Sequence, residues 1–169
     1  MLKNKLGITN EMELAKEEER ISKIKAKAML ENDFFKDKKA GTIDSLLAIH
    51  CFLFEDIYDF AGKLRDVNIS KGSFRFAAAM YLPAAIQAVE KMPQKSFTEI
   101  VEKYVEMNII HPFLEGNGRS MRLWLDQILR AELRAVIDWS QVKKEDYLLA
   151  MERSPIKDTE IYLQSLGCF

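Results

Sequence analysis

Apolar residues recur at helical spacing along most of the chain, and this pattern predicts a largely helical protein. The first helix is expected to begin after Asn10, a residue type that caps helix N-termini. Its many charges leave one narrow apolar stripe, and the charged run at residues 15–20 is expected to face solvent. The stripe consists of Met12, Leu14, Ile21, Ile24 and Ala28.

A second segment, residues 43–62, is apolar on nearly every side, which is typical of a buried helix. Glycine often ends helices, so this helix is expected to continue as far as Gly62. His50 lies in the middle of the apolar run. We therefore expect it to be a structural, hydrogen-bonded histidine rather than a catalytic one.

The sequence VNISKGSFRF, residues 67–76, interrupts the helical pattern. Two short β-prone runs flank Lys71 and Gly72, and a two-residue turn containing glycine between such runs predicts a β-hairpin. A hairpin without further strands leaves its edges unpaired. Such an edge could bind a strand from another chain.

The second half of the chain returns to helical spacing. Ser96 and Glu99 have the pattern of a capping box, which predicts a helix that begins there. A strongly apolar helix is expected at residues 120–133, and shorter helices at about 143–152 and 157–166. Together these elements predict one all-α domain over all 169 residues, a helical bundle with a single short hairpin.

Composition and charge narrow the class of protein. The chain is 48% apolar and 30% charged with a net charge of −1, which is typical of a soluble globular protein. So small a net charge gives no reason to expect direct binding to nucleic acid or to a membrane surface. With only two cysteines, no signal peptide and no run of about 18 apolar residues, a cytoplasmic protein is expected.

One short segment, HPFLEGNGRSMR at residues 111–122, concentrates groups that suit phosphate chemistry. Pro112 disfavours helix at His111, so the preceding helix is expected to end there. The glycines on either side of Asn117 allow successive backbone N–H groups to converge on an anion where the next helix begins. The segment therefore predicts an anion-binding loop.

Charged side chains of the same segment extend this site. Arg119 and Arg122 are three residues apart and project from one helix face, where their guanidinium groups match phosphate oxygens. Glu115 is a hard oxygen ligand of the kind that magnesium prefers, and His111 can accept a proton from a hydroxyl near neutral pH. A base, a metal ligand and a triphosphate site together indicate nucleotidyl transfer.

Residue types alone leave simpler explanations open. The sequence GNGR can be merely a loop that caps a helix. It is not a dinucleotide fingerprint, because Met121 stands where the third glycine belongs, and it is not a P-loop. His111 and Glu115, four residues apart, could ligate zinc if both lay on one helix, although Pro112 argues against that helix.

The segment matches every defined position of the motif HxFx(D/E)GNGRxxR, and the chain therefore resembles the Fic-domain family. The similarity continues upstream through residues 49–76 and downstream at 150–155, and it covers about residues 40–155. The chain is particularly similar to short, single-domain bacterial members. Fic proteins are helical, and most transfer AMP from ATP to a hydroxyl group of a protein and release pyrophosphate. The resemblance implies this activity here.

The resemblance also implies roles for the motif residues. His111 would deprotonate a Tyr, Ser or Thr hydroxyl of the target, and Phe113 would hold the loop in the core. Glu115 would bind Mg²⁺ between the α- and β-phosphates of ATP. Arg119 would contact the β-phosphate, and Arg122 would hold the γ-phosphate. The other nucleotide-binding positions of the loop are Gly116, Asn117, Gly118, Ser120 and Met121.

The hairpin resembles the Fic flap, here about residues 67–76, on which a target protein docks as an added strand. Lys71 at its tip would reach the nucleotide. Asn108, Ile109 and Leu149 would line the pocket for ribose and adenine. Short bacterial members often act as growth-inhibiting toxins on type II topoisomerase subunits, so these subunits are the implied partners.

Many Fic proteins carry an inhibitory helix with the motif (S/T)xxxE(G/N), whose glutamate pairs with the arginine equivalent to Arg122. Residues 9–13 and 98–102 come close to this motif, but the required Gly or Asn does not follow either of them. The chain is either a shortened, deregulated form, which its ending slightly favours, or the partner of a separate antitoxin that supplies the glutamate. In both cases Arg122 is expected to be free in the isolated protein. Assembly into a homo-oligomer stays open.

Other activities compete with AMP transfer. The family branch that transfers phosphate has lysine where this chain has Gly118, so the glycine favours AMP as the transferred group. The motif does not separate the chain from relatives that transfer UMP or phosphocholine. A non-catalytic nucleotide-binding scaffold is disfavoured by the complete motif with His111. Removal of AMP from modified proteins accompanies an inhibitory glutamate, which is not evident here.

Overall fold

The computed structural model describes residues 1–72, 74–143 and 145. In that part of the chain, the helices and the one hairpin confirm the predicted all-α fold with a short hairpin. The elements are α1 (Glu11–Glu31), α2 (Ile43–Phe54), β1 (Ser70–Lys71), β2 (Phe74–Arg75), a 3₁₀ turn (Ala79–Tyr81), α3 (Leu82–Glu90), α4 (Phe97–Ile110) and α5 (Asn117–Leu133). The short helices expected near 143–152 and 157–166 lie outside the described residues, apart from 143 and 145.

Helix α5 lies at the centre of the core and packs against both α2 and α4. Its residues Trp124, Leu125 and Ile128 are completely buried. The indole N–H of Trp124 donates to the carbonyl of Thr42, 3.0 Å away, which joins α5 to the start of α2. A motif at the start of α5 is therefore built on a helix that is packed in the core on two sides.

Helix α1 begins after Asn10 as expected, because the Asn10 side chain accepts the N–H of Glu13 at 3.0 Å. The predicted apolar stripe is wrong in part, since Met12 is 82% exposed and Ile24 is 57% exposed. The charged run was expected to face solvent, but Glu18 within it is buried. The buried face of α1 consists of Leu14, Glu18, Ser22 and Met29. Helical spacing aligns these positions, and partners on other elements satisfy the two polar ones.

Helix α2 ends at Phe54, and the expectation that it continues to Gly62 is wrong. The Phe54 carbonyl accepts the N–H groups of both Ile57 and Tyr58, so the chain turns immediately after the helix. Ile57 and Tyr58 are nevertheless buried, and a buried turn has the same apolar composition as a buried helix. Gly62 has a φ of +72°, and a Cβ there would lie 2.7 Å from Cys51 Cβ. The glycine permits close contact with α2 rather than ending it.

Helix α4 has the predicted capping box between Ser96 and Glu99. It ends at Ile110, immediately before His111, which confirms the expected effect of Pro112. Helix α3 begins with a proline, Pro83, in its first turn. Local sequence signals therefore located both ends of α4 correctly.

The predicted hairpin is present, but its turn lies one position later than expected. Ser70 pairs with Arg75 and Lys71 pairs with Phe74, so Lys71 belongs to β1. The hairpin is joined to α4 by the N–H of Ala77, which donates to the Ile109 carbonyl at 3.3 Å. Among the described residues, no helix combines the length and the apolar composition that crossing a membrane requires.

Candidate active site

The loop between α4 and α5 begins with an unusual backbone conformation at His111. This residue has φ 52° and ψ 66°, the left-handed region that non-glycine residues rarely adopt. Pro112 prevents α4 from continuing, and the His111 N–H still donates to the Met107 carbonyl at 3.0 Å. Strained conformations of this kind cost about 1–3 kcal/mol and persist where surrounding contacts impose them. The histidine is therefore held in a specific orientation.

The ring of His111 is oriented by contacts on two sides. Its Nδ1–H donates to the Asn108 carbonyl at 3.1 Å, because a carbonyl can only accept. The ring stacks on Phe76 beside the hairpin, with centroids 3.7 Å apart and planes 14° apart. These contacts leave Nε2 with the lone pair that can accept a proton.

The ring is also kept neutral. Burial lowers the pKa of His111 from 6.5 to about 4, against the effect of the hydrogen bond to Asn108. The positive charges of Arg65 and Lys71 lower it further. The effect of Lys71 on this pKa indicates that the hairpin lysine lies near the histidine, while its expected contact with the nucleotide stays a prediction. At neutral pH His111 is thus a free base that needs no prior deprotonation.

Arg65 is the main support of this geometry, whereas the sequence left open whether it supports the hairpin or is merely solvated. It is 5% exposed. Its guanidinium donates to four backbone carbonyls, those of His111 at 2.7 Å, Val67 at 2.6 Å, Ala77 at 2.5 Å and Ile110 at 3.0 Å. The backbone N–H of Arg65 also donates to the Pro112 carbonyl at 2.9 Å. One side chain thus fixes the end of α4, the loop and the base of the hairpin together.

The middle of the loop is held by His50, which is structural as expected. The N–H of Gly62 donates to Nδ1 of His50 at 2.9 Å, so the ring proton is on Nε2, which donates to the Glu115 carbonyl at 2.9 Å. The ring stacks on Phe113 with centroids 3.8 Å apart, and Phe113 is fully buried, as its expected place in the core requires. Burial lowers the pKa of His50 to about 4, so it stays neutral.

The start of α5 offers backbone donors in open space. The Asn117 side chain accepts the N–H of Phe113 and donates to its carbonyl, so it braces the loop. Gly118 has no atom within 4 Å of the position that a Cβ would take, which leaves room for a ligand at the helix start. First-turn N–H groups lack acceptors within their helix and carry its positive dipole end. This arrangement suits phosphate groups.

Two residues assigned to the nucleotide by their place in the motif have side chains that face the core. The side chains of Ser120 and Met121 are completely buried, and the Ser120 N–H donates to the Gly116 carbonyl at 3.1 Å. The Met121 side chain is part of the hydrophobic core, so any contact of this residue with the nucleotide would have to come from its backbone. Leu149 lies outside the described residues.

Arg119 is held between α1 and α2. Its Nη2 donates to Oε1 of Glu18, and its Nη1 donates to Oγ of Ser22 at 3.2 Å. The guanidinium carbon lies 4.8 Å from the centroid of the Phe54 ring. The same Nη2 is 3.6 Å from Oε1 of Glu115. The arginine therefore lies beside the carboxylate that the sequence assigns to magnesium.

Arg122 has a different environment from Arg119. Its guanidinium carbon lies 5.7 Å from the centroid of the Trp139 ring. The indole N–H of Trp139 donates to Oδ2 of Asp126 at 2.9 Å, which ties the segment after α5 back to that helix. Within residues 1–72, 74–143 and 145, Arg122 makes no ion pair.

The donor set fits magnesium better than zinc. The Glu115 side chain is 46% exposed, and its Oε1 accepts the N–H of Gly116 at 2.8 Å. His111 and Glu115 lie on a loop rather than one helix, so the spacing that a helical zinc pair needs is not formed. A single accessible carboxylate beside phosphate-binding groups is the usual way in which proteins hold magnesium on a nucleotide.

Replacing Gly116 with alanine is expected to lower the free energy of unfolding by roughly 2–3 kcal/mol. Gly116 has a φ of +77°, and a Cβ would lie 2.4 Å from Cε2 of Phe54. Gly118→Ala is the matched control, because a Cβ there meets nothing within 4 Å. Chemical denaturation measures the free energy of unfolding of both variants. Equal values would contradict the close contact between Gly116 and Phe54.

Comparison with known proteins identifies the family of this chain. The model of the Fic/DOC family matches residues 41–129, and the chain belongs to that family. It is 34% identical over 115 residues to "Protein adenylyltransferase VbhT" of Bartonella schoenbuchensis, an alignment that covers 62% of this chain and 24% of that protein. It is 27% identical over 169 residues to "Probable protein adenylyltransferase Fic" of Salmonella typhimurium, covering 94% of this chain and 82% of the relative. The chain thus spans about a quarter of the length of VbhT.

A solved structure agrees with the fold. BepC from Bartonella tribocorum, solved with bound AMPPNP, superposes with a TM-score of 0.78 at 19% identity, over 98% of this chain and 90% of that one. The predicted family and fold are confirmed. The named relatives are enzymes, so the prediction of an enzyme family is confirmed as well.

Proposed function

We propose that this protein transfers AMP from ATP to a hydroxyl group of a target protein and releases pyrophosphate. The observation that carries the proposal is the orientation of His111. Its Nδ1–H is committed to Asn108, and Nε2 is left as a base at one end of a loop whose other end is a phosphate-binding helix start. The names of the curated relatives, protein adenylyltransferases, support the same activity.

The transfer requires a base on one side of the α-phosphate and charge neutralisation on the other. The hydroxyl proton of the target passes to Nε2 of His111, and the hydroxyl oxygen forms a bond to the α-phosphorus. The bond from the α-phosphorus to the bridging oxygen breaks, and pyrophosphate leaves with that electron pair. Arg119, Arg122 and the first-turn N–H groups of α5 stabilise the charge that develops on the leaving group.

The chemistry of the site supports MgATP as the cosubstrate. The AMPPNP bound to BepC is an ATP analogue, which agrees with nucleotide binding at this fold. Glu115 is the residue that would hold Mg²⁺, whose charge would neutralise the phosphate oxygens. Asn108 and Ile109 precede the histidine, where they would line the nucleoside pocket. The phosphate-transferring branch of the family has lysine at the position of Gly118, where this structure has open space, so the glycine favours AMP over phosphate as the transferred group.

The hairpin is the proposed docking site for the target. Strands β1 and β2 form a two-stranded sheet, and residues 70 and 71 are exposed. An extended segment of the target could add to this sheet through backbone hydrogen bonds, which impose little sequence preference. From the resemblance to short bacterial Fic proteins, we also propose a type II topoisomerase subunit as the target, toxin activity in the cytoplasm and control by a separate antitoxin.

The test is labelling of a bacterial lysate with ATP carrying ³²P at the α-phosphate, in the presence of magnesium. A labelled protein band that requires the enzyme would support AMP transfer, and mass spectrometry of that band would identify the modified residue. Label from γ-³²P-ATP instead would show phosphate transfer and overturn the proposal. Absence of label from either nucleotide, with ATP still bound, would favour a non-catalytic scaffold.

A further inference from the structure

Helix α1 contributes a buried carboxylate to the nucleotide site. Glu18 accepts hydrogen bonds from Nη2 of Arg119 and from the hydroxyl of Tyr58. The Glu18 side chain is only 9% exposed, so this ion pair is shielded from solvent. Glu18 and Ser22 both lie outside residues 41–129, the part that matches the family model. The family match therefore assigns them no role.

The contacts of Arg119 divide into a fixed side and an open side. Glu18, Ser22 and the Phe54 ring hold the guanidinium against α1 and α2. The Arg119 side chain is nevertheless 27% exposed, so part of the group stays accessible. An arginine has five N–H donors, and the contacts with Glu18 and Ser22 use only some of them. The rest are free to bind a phosphate oxygen.

The contact with Glu18 also limits how closely Arg119 pairs with Glu115, because the same nitrogen, Nη2, faces both carboxylates. Nη2 is 3.6 Å from Oε1 of Glu115, beyond a normal hydrogen bond but within reach after a small rotation. Without Glu18, the guanidinium would lose its stronger acceptor and pair fully with Glu115. That pairing would occupy both the phosphate donor and the carboxylate proposed for magnesium.

We infer that Glu18 is a positioning residue of the nucleotide site, which holds Arg119 ready for phosphate and keeps it from pairing more closely with Glu115. The inference rests on the proposed function, because it assumes that Arg119 and Glu115 receive MgATP. Tyr58 supports the carboxylate from the other side, since its hydroxyl is a permanent donor here. Burial and the hydrogen bond to Glu18 raise the pKa of Tyr58.

The experiment compares binding of a non-hydrolysable ATP analogue with Mg²⁺ to the wild type and to Glu18→Gln by calorimetry. Glutamine keeps an oxygen acceptor of the same shape but removes the negative charge of Glu18. That charge competes with Glu115 for the guanidinium of Arg119. We expect binding to weaken by roughly 10-fold, the usual effect of removing a partner that orients a binding group. Glu17→Gln is the control, because Glu17 lies on the same helix and its ion pair among the described residues is with Arg20 at the surface.

A second comparison separates positioning from a merely structural role. In an Arg119→Ala background, Glu18→Gln is expected to cause no further loss of binding, since Glu18 acts through Arg119. Equal affinity of Glu18→Gln and the wild type, or tighter binding by the variant, would overturn the inference about Glu18 but leave the proposed function standing. An additional loss in the Arg119→Ala background would do the same. Failure of the wild type to bind the analogue would overturn the proposed function and the inference with it.

Discussion

Replacing His111 with alanine is expected to reduce AMP transfer by roughly 100- to 10,000-fold, the range for loss of a general base. The affinity for the ATP analogue should change little, because the phosphate-binding groups lie at the other end of the loop. Label incorporation from α-³²P-ATP measures the rate, and calorimetry measures the affinity. Residual transfer above about a tenth of the wild-type rate would show that another group accepts the hydroxyl proton.

The protonation state of His111 can be tested directly, because the chain has only two histidines. Burial lowers the pKa of both rings to about 4, so NMR titration of the free protein should show no midpoint near 6.5. His111→Ala assigns the two signals. Because the folded-state pKa values lie below the unfolded value, both histidines reduce stability as the pH falls from about 6.5 towards 4. A midpoint near 6.5 in the folded protein would show that His111 is not buried as described.

Bound nucleotide should reverse part of the lowering of the His111 pKa. The negative charge of a triphosphate near His111 favours the imidazolium form and raises its pKa towards neutrality. A base that becomes stronger when its substrate binds is well matched to accepting a proton at neutral pH. The same titration with the ATP analogue is therefore expected to move the His111 midpoint upward and to leave that of His50 nearly unchanged.

Replacing Arg65 with alanine is expected to lower the free energy of unfolding by about 3–5 kcal/mol, which is large for one side chain. Four backbone carbonyls would lose a charged donor in a buried region. Lysine should restore only a small part of the loss, because its ammonium group lacks the planar set of donors that Arg65 uses. Denaturant titration measures this change.

Arg75→Ala is the control for Arg65, since Arg75 is an exposed arginine on the same hairpin. It should change the free energy of unfolding by less than about 0.5 kcal/mol. AMP transfer at a temperature where the Arg65 variants remain folded provides a second reading. Because Arg65 holds the carbonyls of both Ile110 and His111, loss of activity should exceed loss of folded protein. Full activity of folded Arg65→Lys would contradict a role in orienting His111.

The sequence alone was sufficient wherever a local signal determines the structure. Pro112 ended α4, the Ser96 capping box began it, and the long motif identified the family. These signals depend on steric limits or hydrogen bonds within a few residues, so they act in the same way in any fold. The hairpin was likewise predicted, with an error of one residue in its turn.

The sequence was not sufficient where a side chain finds its partners far along the chain. Glu18 reads as part of a solvated charged run, yet Arg119, 101 positions away, makes it a buried partner. Arg65 reads as a single basic residue near a hairpin, yet it binds carbonyls up to 46 positions away. Apolar residues around Ile57 were interpreted as helix because composition reports burial and not backbone conformation.

The sequence by itself therefore determined the family, the order of the main helices and the chemical groups of the loop. Only the tertiary structure decided which charges are buried, which ring nitrogen of His111 is free and which carbonyls Arg65 holds. The physical reason is that burial and hydrogen-bond partners depend on contacts between elements. A periodic pattern records only the face that a residue occupies on its own helix.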